Sequence, residues 1–254
     1  MPAIDNAGGS AENAPMDFDH PVAAVILALD AHEVPHARLL ARELAADCDS
    51  QTMLVLGEAF AERGLVSPLA DLWQYRWSRQ GPVEVEAEAY ALAINALAVE
   101  HMREMRFDEA RPLLLKALEA LPQNLALIQN FASCSLELGE FQAALDGVNE
   151  AVSRAPQDPA LHELRGRVLY QSGDVELSVP EFTQAFDAGR ASAGLWLLRA
   201  LCLDARIDEA IEDMEKLLAE HPERGKAMLD LEFSDPGSPL QILRDDERAR
   251  PLFE

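Results

Sequence analysis

Aromatic residues, strand-forming runs and basic residues are all scarce in this sequence. Aromatics make up only 6% of the 254 residues, and Ala and Leu carry most of an apolar content of 49%. Runs of Val, Ile and Thr, which would favour strands, are nearly absent, whereas Ala and Leu have high helix propensity. The composition therefore argues against a disordered chain and predicts an all-α fold.

Cysteine is also scarce, and its placement argues against a disulfide scaffold. Cys48, Cys134 and Cys202 are odd in number, lie far apart and form no C-x-x-C motif. Residues 1–16 lack the basic start and apolar core of a signal peptide, and their Gly, Ser, Asn and Pro content predicts a disordered tail. We therefore expect a cytoplasmic protein, and the Ala- and Leu-rich usage favours a bacterial one.

The charge balance and the short apolar runs exclude two classes of partner. The run VAAVILAL (22–29) is too short for a bilayer, which needs about 20 apolar residues. The 21 Lys and Arg residues stand against 45 Asp and Glu residues, so the net charge is −24. Such a chain repels nucleic acid and anionic membranes. We expect a basic partner or none; the alternative is that the acidity only keeps the protein in solution.

One short motif suggests catalysis. Residues 32–36 spell HEVPH, which fits the H-E-x-x-H pattern of zinc proteases. That chemistry needs His32 and His36 one helical turn apart with Glu33 as the base, but Pro35 would break a helix interior. Proline is favoured in the first turn of a helix, so Pro35 predicts a helix start with His32 and Glu33 in the preceding turn. We expect no metal, no cofactor and no catalytic site.

The chain repeats itself at a step of 34 residues. Ala117, Ala151 and Ala185 keep this step, and so do Gly139 and Gly173. The same step relates three further sets of positions, which are Ala110, Ala144 and Ser178; Phe107, Phe141 and Val175; and Pro122 and Pro156. A fourth copy follows with a connection about two residues shorter, so that Ala210 takes the place of Ser178.

Each repeat is expected to form two helices joined by a tight turn. Apolar residues recur every three or four positions in each half, which predicts one buried face per helix. Glycine in the turn permits the positive φ that ends the first helix, and proline ends the second. Ala110 and Ala144 are small because two helices approach closely there, and larger side chains pack one turn later. These larger side chains are Leu114, Val148, Phe182 and Met214.

On these residues the chain resembles the tetratricopeptide repeat family, whose unit is a 34-residue helix–turn–helix. The resemblance implies a right-handed superhelical α–α solenoid closed by a C-terminal capping helix. It covers residues 91–222 as four repeats, preceded by divergent helix pairs over 17–82 and followed by a cap over 223–254. We therefore predict one solenoid domain over 17–254. The last segment, SPLQILRDDERARPLFE (238–254), should form a final amphipathic helix that covers the last repeat with Leu240, Leu243, Leu252 and Phe253.

The sequence departs from the family pattern at three positions. His162 and Arg165 stand where the family prefers apolar residues, and Pro180 lies inside a second helix.

The resemblance also implies a binding groove lined by the first helix of each repeat. The predicted groove residues are Asn95, Val99, Arg103, Gln129, Asn130, Ser133, Glu137, Glu163, Arg167 and Tyr170. Asparagine and glutamine amides can pair with a peptide backbone, and Arg167 can pair with an acidic group. The alternative is that these are solvated polar faces. The lysines of the family's clamp for chaperone C-termini are missing, which argues against that ligand.

A second contact patch is predicted in the segment LWQYRWSRQ (72–80). Trp, Tyr and Arg are enriched in binding hot spots, and Trp73 and Trp77 share a helical face. The predicted patch consists of Trp73, Tyr75, Arg76, Trp77 and Arg79. The alternative is that Trp73 packs between helices and Trp77 covers the next repeat.

The resemblance implies a non-catalytic scaffold that binds a partner peptide or helix in the groove. Two alternatives stay open. The chain could be a dedicated chaperone or regulator of a secretion or assembly system, with a basic or amphipathic client and a homodimer formed through an end repeat. It could also be the accessory subunit of a separate enzyme.

Overall fold

The computed structural model describes residues 21–252, which fold into two compact units divided between Leu97 and Ala98. Within this range the chain forms helices and connecting turns, and no strand occurs. The first unit contains α1 (Ala23–Asp30), α2 (Val34–Ala45), α3 (Ser50–Ala61), α4 (Val66–Gln80) and the larger part of α5 (Ala87–Arg103).

The second unit contains the end of α5 and nine further helices of the described chain. These are α6 (Phe107–Ala120), α7 (Leu125–Glu137), α8 (Phe141–Arg154), α9 (Pro159–Ser172), α10 (Val175–Asp187), α11 (Ala191–Leu203), α12 (Ile207–Glu220), α13 (Pro222–Ser234) and the single turn α14 (Gln241–Arg244). Helices adjacent in sequence pack on each other from α6 to α13. In addition, α7 contacts α9, α9 contacts α11 and α11 contacts α13, so the first helices of successive repeats share a face.

The repeat register is visible in the turns within the hairpins of the second unit. Met105, Gly139, Gly173 and Ala205 stand at equivalent positions, and their φ angles are 60°, 73°, 96° and 59°. Glycine adopts this left-handed conformation freely, but a side chain makes it unfavourable by about 1–2 kcal/mol. Met105 and Ala205 therefore hold a strained backbone at a position where the neighbouring repeats use glycine.

The small and large positions predicted for the second helices are all buried. The small residues Ala110, Ala144, Ser178 and Ala210 are fully excluded from solvent. So are the larger residues one turn later, which are Leu114, Val148, Phe182 and Met214. The 34-residue step therefore corresponds to one layer of core per hairpin, as the sequence predicted.

Ala144→Leu is expected to destabilise the second unit by about 1–3 kcal/mol, because three carbon atoms must enter a filled helix crossing. The matched control is Asn149→Leu on the exposed face of the same helix, where we expect a change within about 0.5 kcal/mol. Denaturant unfolding of both variants measures the difference. Equal midpoints for the two would contradict the repeat register.

Two of the departures from the family pattern are satisfied by one carboxylate. His162 is buried on α9, and its Nδ1 lies 2.8 Å from Oε2 of Glu181, which belongs to α10. Nη2 of Arg165 donates to the other oxygen of Glu181 at 2.6 Å. The polar residues thus replace an apolar contact between the two helices with a hydrogen-bonded one. Pro180 lies inside α10, as the sequence predicted.

The HEVPH segment is a turn followed by a helix start. Pro35 lies in the first turn of α2, as predicted. His32 stands in the turn between α1 and α2 with a φ of 60°, and His36 is exposed on α2. The two imidazoles therefore do not share one helix. No group of three or more His, Cys, Asp or Glu side chains between residues 21 and 252 is placed to hold a metal ion.

The C-terminal segment differs from the prediction. The helix that caps α12 is α13, which begins at Pro222, whereas the segment after residue 238 forms only α14 and a 3₁₀ turn at Arg250–Leu252. The Asp246 carboxylate accepts hydrogen bonds from the backbone N–H and the guanidinium of Arg248, and such local bonds compete with a helix. Leu240 and Leu243 are nevertheless buried against the last repeat, as predicted.

Some sequence predictions stay predictions. The tail over 1–16 and Phe253 lie outside the described residues, and the extent of the solenoid domain over 17–254 is not decided by the two units. No helix within residues 21–252 is long and apolar enough to cross a membrane.

Candidate functional site

The second unit presents a shared face built from α7, α9 and α11. Side chains link these helices directly across that face. Arg167 on α9 donates to Glu137 on α7 at 2.8 Å, and Ser192 on α11 donates to Glu163 on α9 at 3.0 Å. The face is therefore a fixed surface of side chains rather than a row of independent polar groups.

An open pocket of about 470 Å³ lies at one end of this face. It is formed by the end of α5, the turn into α6, and α7. Its lining residues are Val99, Met102, Arg103, Met105, Phe107, Asn130, Ser133 and Glu137. Five of these are predicted groove residues, namely Val99, Arg103, Asn130, Ser133 and Glu137. The structure thus brings half of the predicted groove together around one cavity.

The pocket has an apolar wall and a polar wall. Val99, Met102 and Phe107 form the apolar side together with Met105, whose side chain is 70% exposed although it is held in the strained turn conformation. Asn130 and Ser133 face them from α7. A large apolar side chain kept in water at a strained position suggests a functional contact.

The charged residues of the pocket differ in how they are paired. Glu137 is engaged by Arg167, whereas Arg103 is exposed and forms no ion pair with any residue between 21 and 252. A basic ligand side chain placed directly beside Arg103 would be repelled. The pocket itself therefore favours an apolar side chain, with any basic groups of the ligand outside it.

An aromatic and arginine cluster continues the face beyond Glu137. The guanidinium carbon of Arg199 lies 4.6 Å from the ring centre of Trp196, and that of Arg167 lies 5.7 Å from it. Phe182 stacks with the same indole at 6.1 Å. Arg199 is held in place by both carboxylate oxygens of Glu232 on α13. Trp196 is half-buried.

The predicted groove contains residues of the first three repeats only, so Trp196 and Arg199 in the fourth repeat are absent from it. The repeat spacing could have identified Arg199, because the 32-residue step into the fourth repeat makes it the residue equivalent to Arg167.

The remaining predicted groove residues occupy different settings. Gln129 is half-buried on α7, and Tyr170 packs its ring edge against Trp196 at 5.4 Å. Glu163 is buried and engaged by Arg190 and Ser192, so its prediction as a partner contact is wrong. Asn95 belongs to the first unit, where it is half-buried on α5.

Two residues of the second predicted patch lie in the core rather than on the surface. Arg76 is buried with Glu86 in a bidentate ion pair at 2.8 and 3.1 Å, and it also donates to the carbonyl oxygens of Ala45 and Cys48. Trp73 is only 2% exposed. The prediction that these two side chains contact a partner is therefore wrong, because both are part of the core of the first unit.

Two of the other three residues of that patch are also engaged within the first unit. Trp77 stacks on Tyr90 with ring centres 4.1 Å apart, and the guanidinium of Arg42 lies 4.5 Å from the ring centre of Tyr75. Arg79 alone is exposed.

The cysteines do not offer a nucleophile. All three are free thiols. Burial raises the pKa of Cys134 to about 11 and that of Cys202 to about 12, so both remain protonated at neutral pH. Desolvation also raises the pKa of Cys48.

Comparison with known proteins agrees with the repeat geometry. Residues 101–168 and 163–223 match two family models, both described as tetratricopeptide repeat. The comparison with curated proteins gives no match. Among solved structures, YrrB, described as a TPR protein with an unusual peptide-binding site, is 14% identical with a TM-score of 0.57, covering 78% of this chain and 93% of YrrB.

Two structures of MamA have the same fold. MamA from Desulfovibrio magneticus RS-1, from residue 41 to its end, is 14% identical with a TM-score of 0.56, covering 72% of this chain and 96% of that one. Another MamA structure is 15% identical with a TM-score of 0.56, covering 67% of this chain and 90% of its own. With its helical hairpins, its 34-residue step and these matches, residues 101–223 consist of tetratricopeptide repeats.

Proposed function

We propose that this protein is a non-catalytic scaffold that binds a segment of a partner protein on the shared face of α7, α9 and α11. The observation that carries the proposal is the pocket of about 470 Å³ that joins five predicted groove residues at one end of that face. The peptide-binding site of YrrB, a protein of the same fold, supports the same type of function.

The two walls of the pocket suggest how a partner segment binds. An apolar side chain of the partner packs against Val99, Met102 and Met105, where burial contributes about 25 cal/mol per Å² of apolar surface. The hydroxyl of Ser133 and the amide of Asn130 can pair with the partner backbone. The cluster around Trp196 extends the contact along the chain of the partner.

Met105 provides a test that separates binding from folding. Met105→Gly removes the exposed side chain and relieves the left-handed strain, so stability should stay unchanged or rise by up to about 1 kcal/mol. Ala205→Gly is the matched control, because it relieves the same strain at the equivalent turn and does not line the pocket.

The probe is a set of peptides selected from a random library displayed on phage against the wild-type protein. We expect the selected peptides to bind Met105→Gly about tenfold more weakly, a loss of about 1.4 kcal/mol, and to bind Ala205→Gly with unchanged affinity. Isothermal titration measures both. Equal affinity for the two variants would contradict the proposed site.

We also propose that the partner is basic, because the net charge of −24 attracts a basic segment at long range. For a basic peptide from the same selection, affinity should fall several-fold when NaCl rises from about 0.05 M to about 0.5 M, since salt screens exposed charges beyond about 10 Å at 0.1 M. An uncharged peptide is the control. If the affinity of the basic peptide does not change with salt, the proposal that the partner is basic is contradicted. This result would not bear on the apolar contacts in the pocket.

A further inference from the structure

The first unit contains a groove of its own, formed by α3, α4 and α5. It has a volume of about 490 Å³ and lies wholly within residues 54–96. The family models match residues 101–223, so this groove lies outside the matched repeats. It is also separate from the pocket of the proposed function, which is built from residues of the second unit.

Small side chains make the lining of this groove flat. Gly57, Ala61, Ala89 and Ala96 line it, and the indole of Trp73 completes it. A Cβ at Gly57 would lie 2.9 Å from Nε1 of Trp73, so the glycine is what allows the indole to lie against α3. Small residues let another helix approach closely, and helix-in-groove binding uses such a surface.

The exposed edge of the groove carries one large apolar side chain and one charge. Leu92 on α5 is 49% exposed. Glu58 on α3 is exposed and belongs to no ion pair of the described chain. It is the single charged residue among those that line the groove.

We propose that this groove binds a basic amphipathic helix of a partner protein, whose leucine-type residues cover Leu92 and the small side chains beside it while a lysine or arginine pairs with Glu58. The charge of the groove and of the whole chain favours a basic helix over an acidic one. The unpaired charge of the groove is negative, and the chain carries a net charge of −24, which attracts a cationic helix and repels an acidic one. The same net charge opposes a second copy of this chain.

The test uses a fluorescent synthetic helix about 18 residues long, with Leu on one face and Lys on the other, and fluorescence anisotropy with the full chain. The key variant is Leu92→Asp and its matched control is Leu27→Asp, because Leu27 is 50% exposed on α1 and does not line the groove. We expect at least about a tenfold loss of affinity for Leu92→Asp and no loss for Leu27→Asp.

This pair of variants also excludes non-specific attraction. Each adds one negative charge, so general attraction of a cationic peptide would leave both variants binding as well as the wild type or better. Ala96→Phe, which fills the groove from a half-buried position, should weaken binding without adding charge. Glu58→Lys should weaken binding of the Leu/Lys helix as well.

Three results would overturn the proposal. The first is equal binding of the Leu/Lys helix to Leu92→Asp and to Leu27→Asp. The second is equally tight binding of a helix with the same Leu pattern and Glu in place of Lys. The third is self-association in sedimentation that disappears in Leu92→Asp, since a second copy would then be the occupant. The Met105→Gly variant should bind this peptide normally, which keeps failure here distinct from failure of the proposed function.

Discussion

Glu86→Ala is expected to destabilise the first unit by about 3–5 kcal/mol, because it leaves the Arg76 guanidinium buried without its carboxylate. Arg76 is 2% exposed and Glu86 is fully buried, so water cannot replace the lost partner. The bonds from Arg76 to the carbonyl oxygens of Ala45 and Cys48 tie it to two further points of the unit. The loss should therefore loosen the unit as a whole.

An exposed ion pair in the same unit gives the control. Arg38 and Asp71 are both about half exposed, and a surface pair contributes about 0–1 kcal/mol. Hydrogen exchange of the backbone amides of α3 and α4 reports the stability of this unit separately from the other. If Glu86→Ala accelerates exchange no more than Asp71→Ala does, the buried Arg76–Glu86 pair does not stabilise the first unit more than a surface pair does.

Phe182→Ala should cost about 3–5 kcal/mol in the second unit, because it empties a fully buried site between α9, α10 and α11. The ring fits against Gly166, where a Cβ would lie only 2.6 Å from it, and it also contacts Tyr170 and Trp196. For a unit of this size the melting temperature should fall by roughly 6–20 °C.

Substitutions at Gly166 test its contact with Phe182 from the α9 side. Gly166→Ala alone should destabilise the unit, because the added methyl group meets the ring of Phe182. Combined with Phe182→Ala, a larger residue at position 166 should restore part of the lost stability, since it refills the cavity. A harmless Gly166→Ala, or a double variant no more stable than Phe182→Ala, would contradict the close approach of α9 and α10.

The helices from α6 to α12 could be predicted from the sequence because equivalent residues recur at a fixed step, and this step shows where each helix begins and ends. Small residues recur every 34 residues at positions 110, 144 and 178, and glycines recur at positions 139 and 173. Because both sets keep the same step, each supports the helix boundaries that the other predicts. The prediction for the last segment was wrong because no repeat constrained it. There the local hydrogen bonds between Asp246 and Arg248 compete with the helix that the leucine spacing suggested.

The candidate site could be predicted only in part, for a physical reason. Spacing along a helix shows which face a residue occupies, so the face of Asn130, Ser133 and Glu137 was found. Spacing does not show which charges pair across the fold. Glu86 follows the break at Gly81, and nothing in the sequence marks it as the buried partner of Arg76, which therefore looked like a surface residue.

The most direct test of the proposed function is photo-crosslinking in the native cell from a reactive amino acid placed at Ser133, in the pocket. Glu150, exposed on α8 and absent from the pocket lining, is the control position. We expect a discrete protein adduct from position 133 that is lost when Met105→Gly is added and kept when Ala205→Gly is added, with none from position 150. Adducts that form equally from both positions, or that survive Met105→Gly, would contradict partner binding in this pocket.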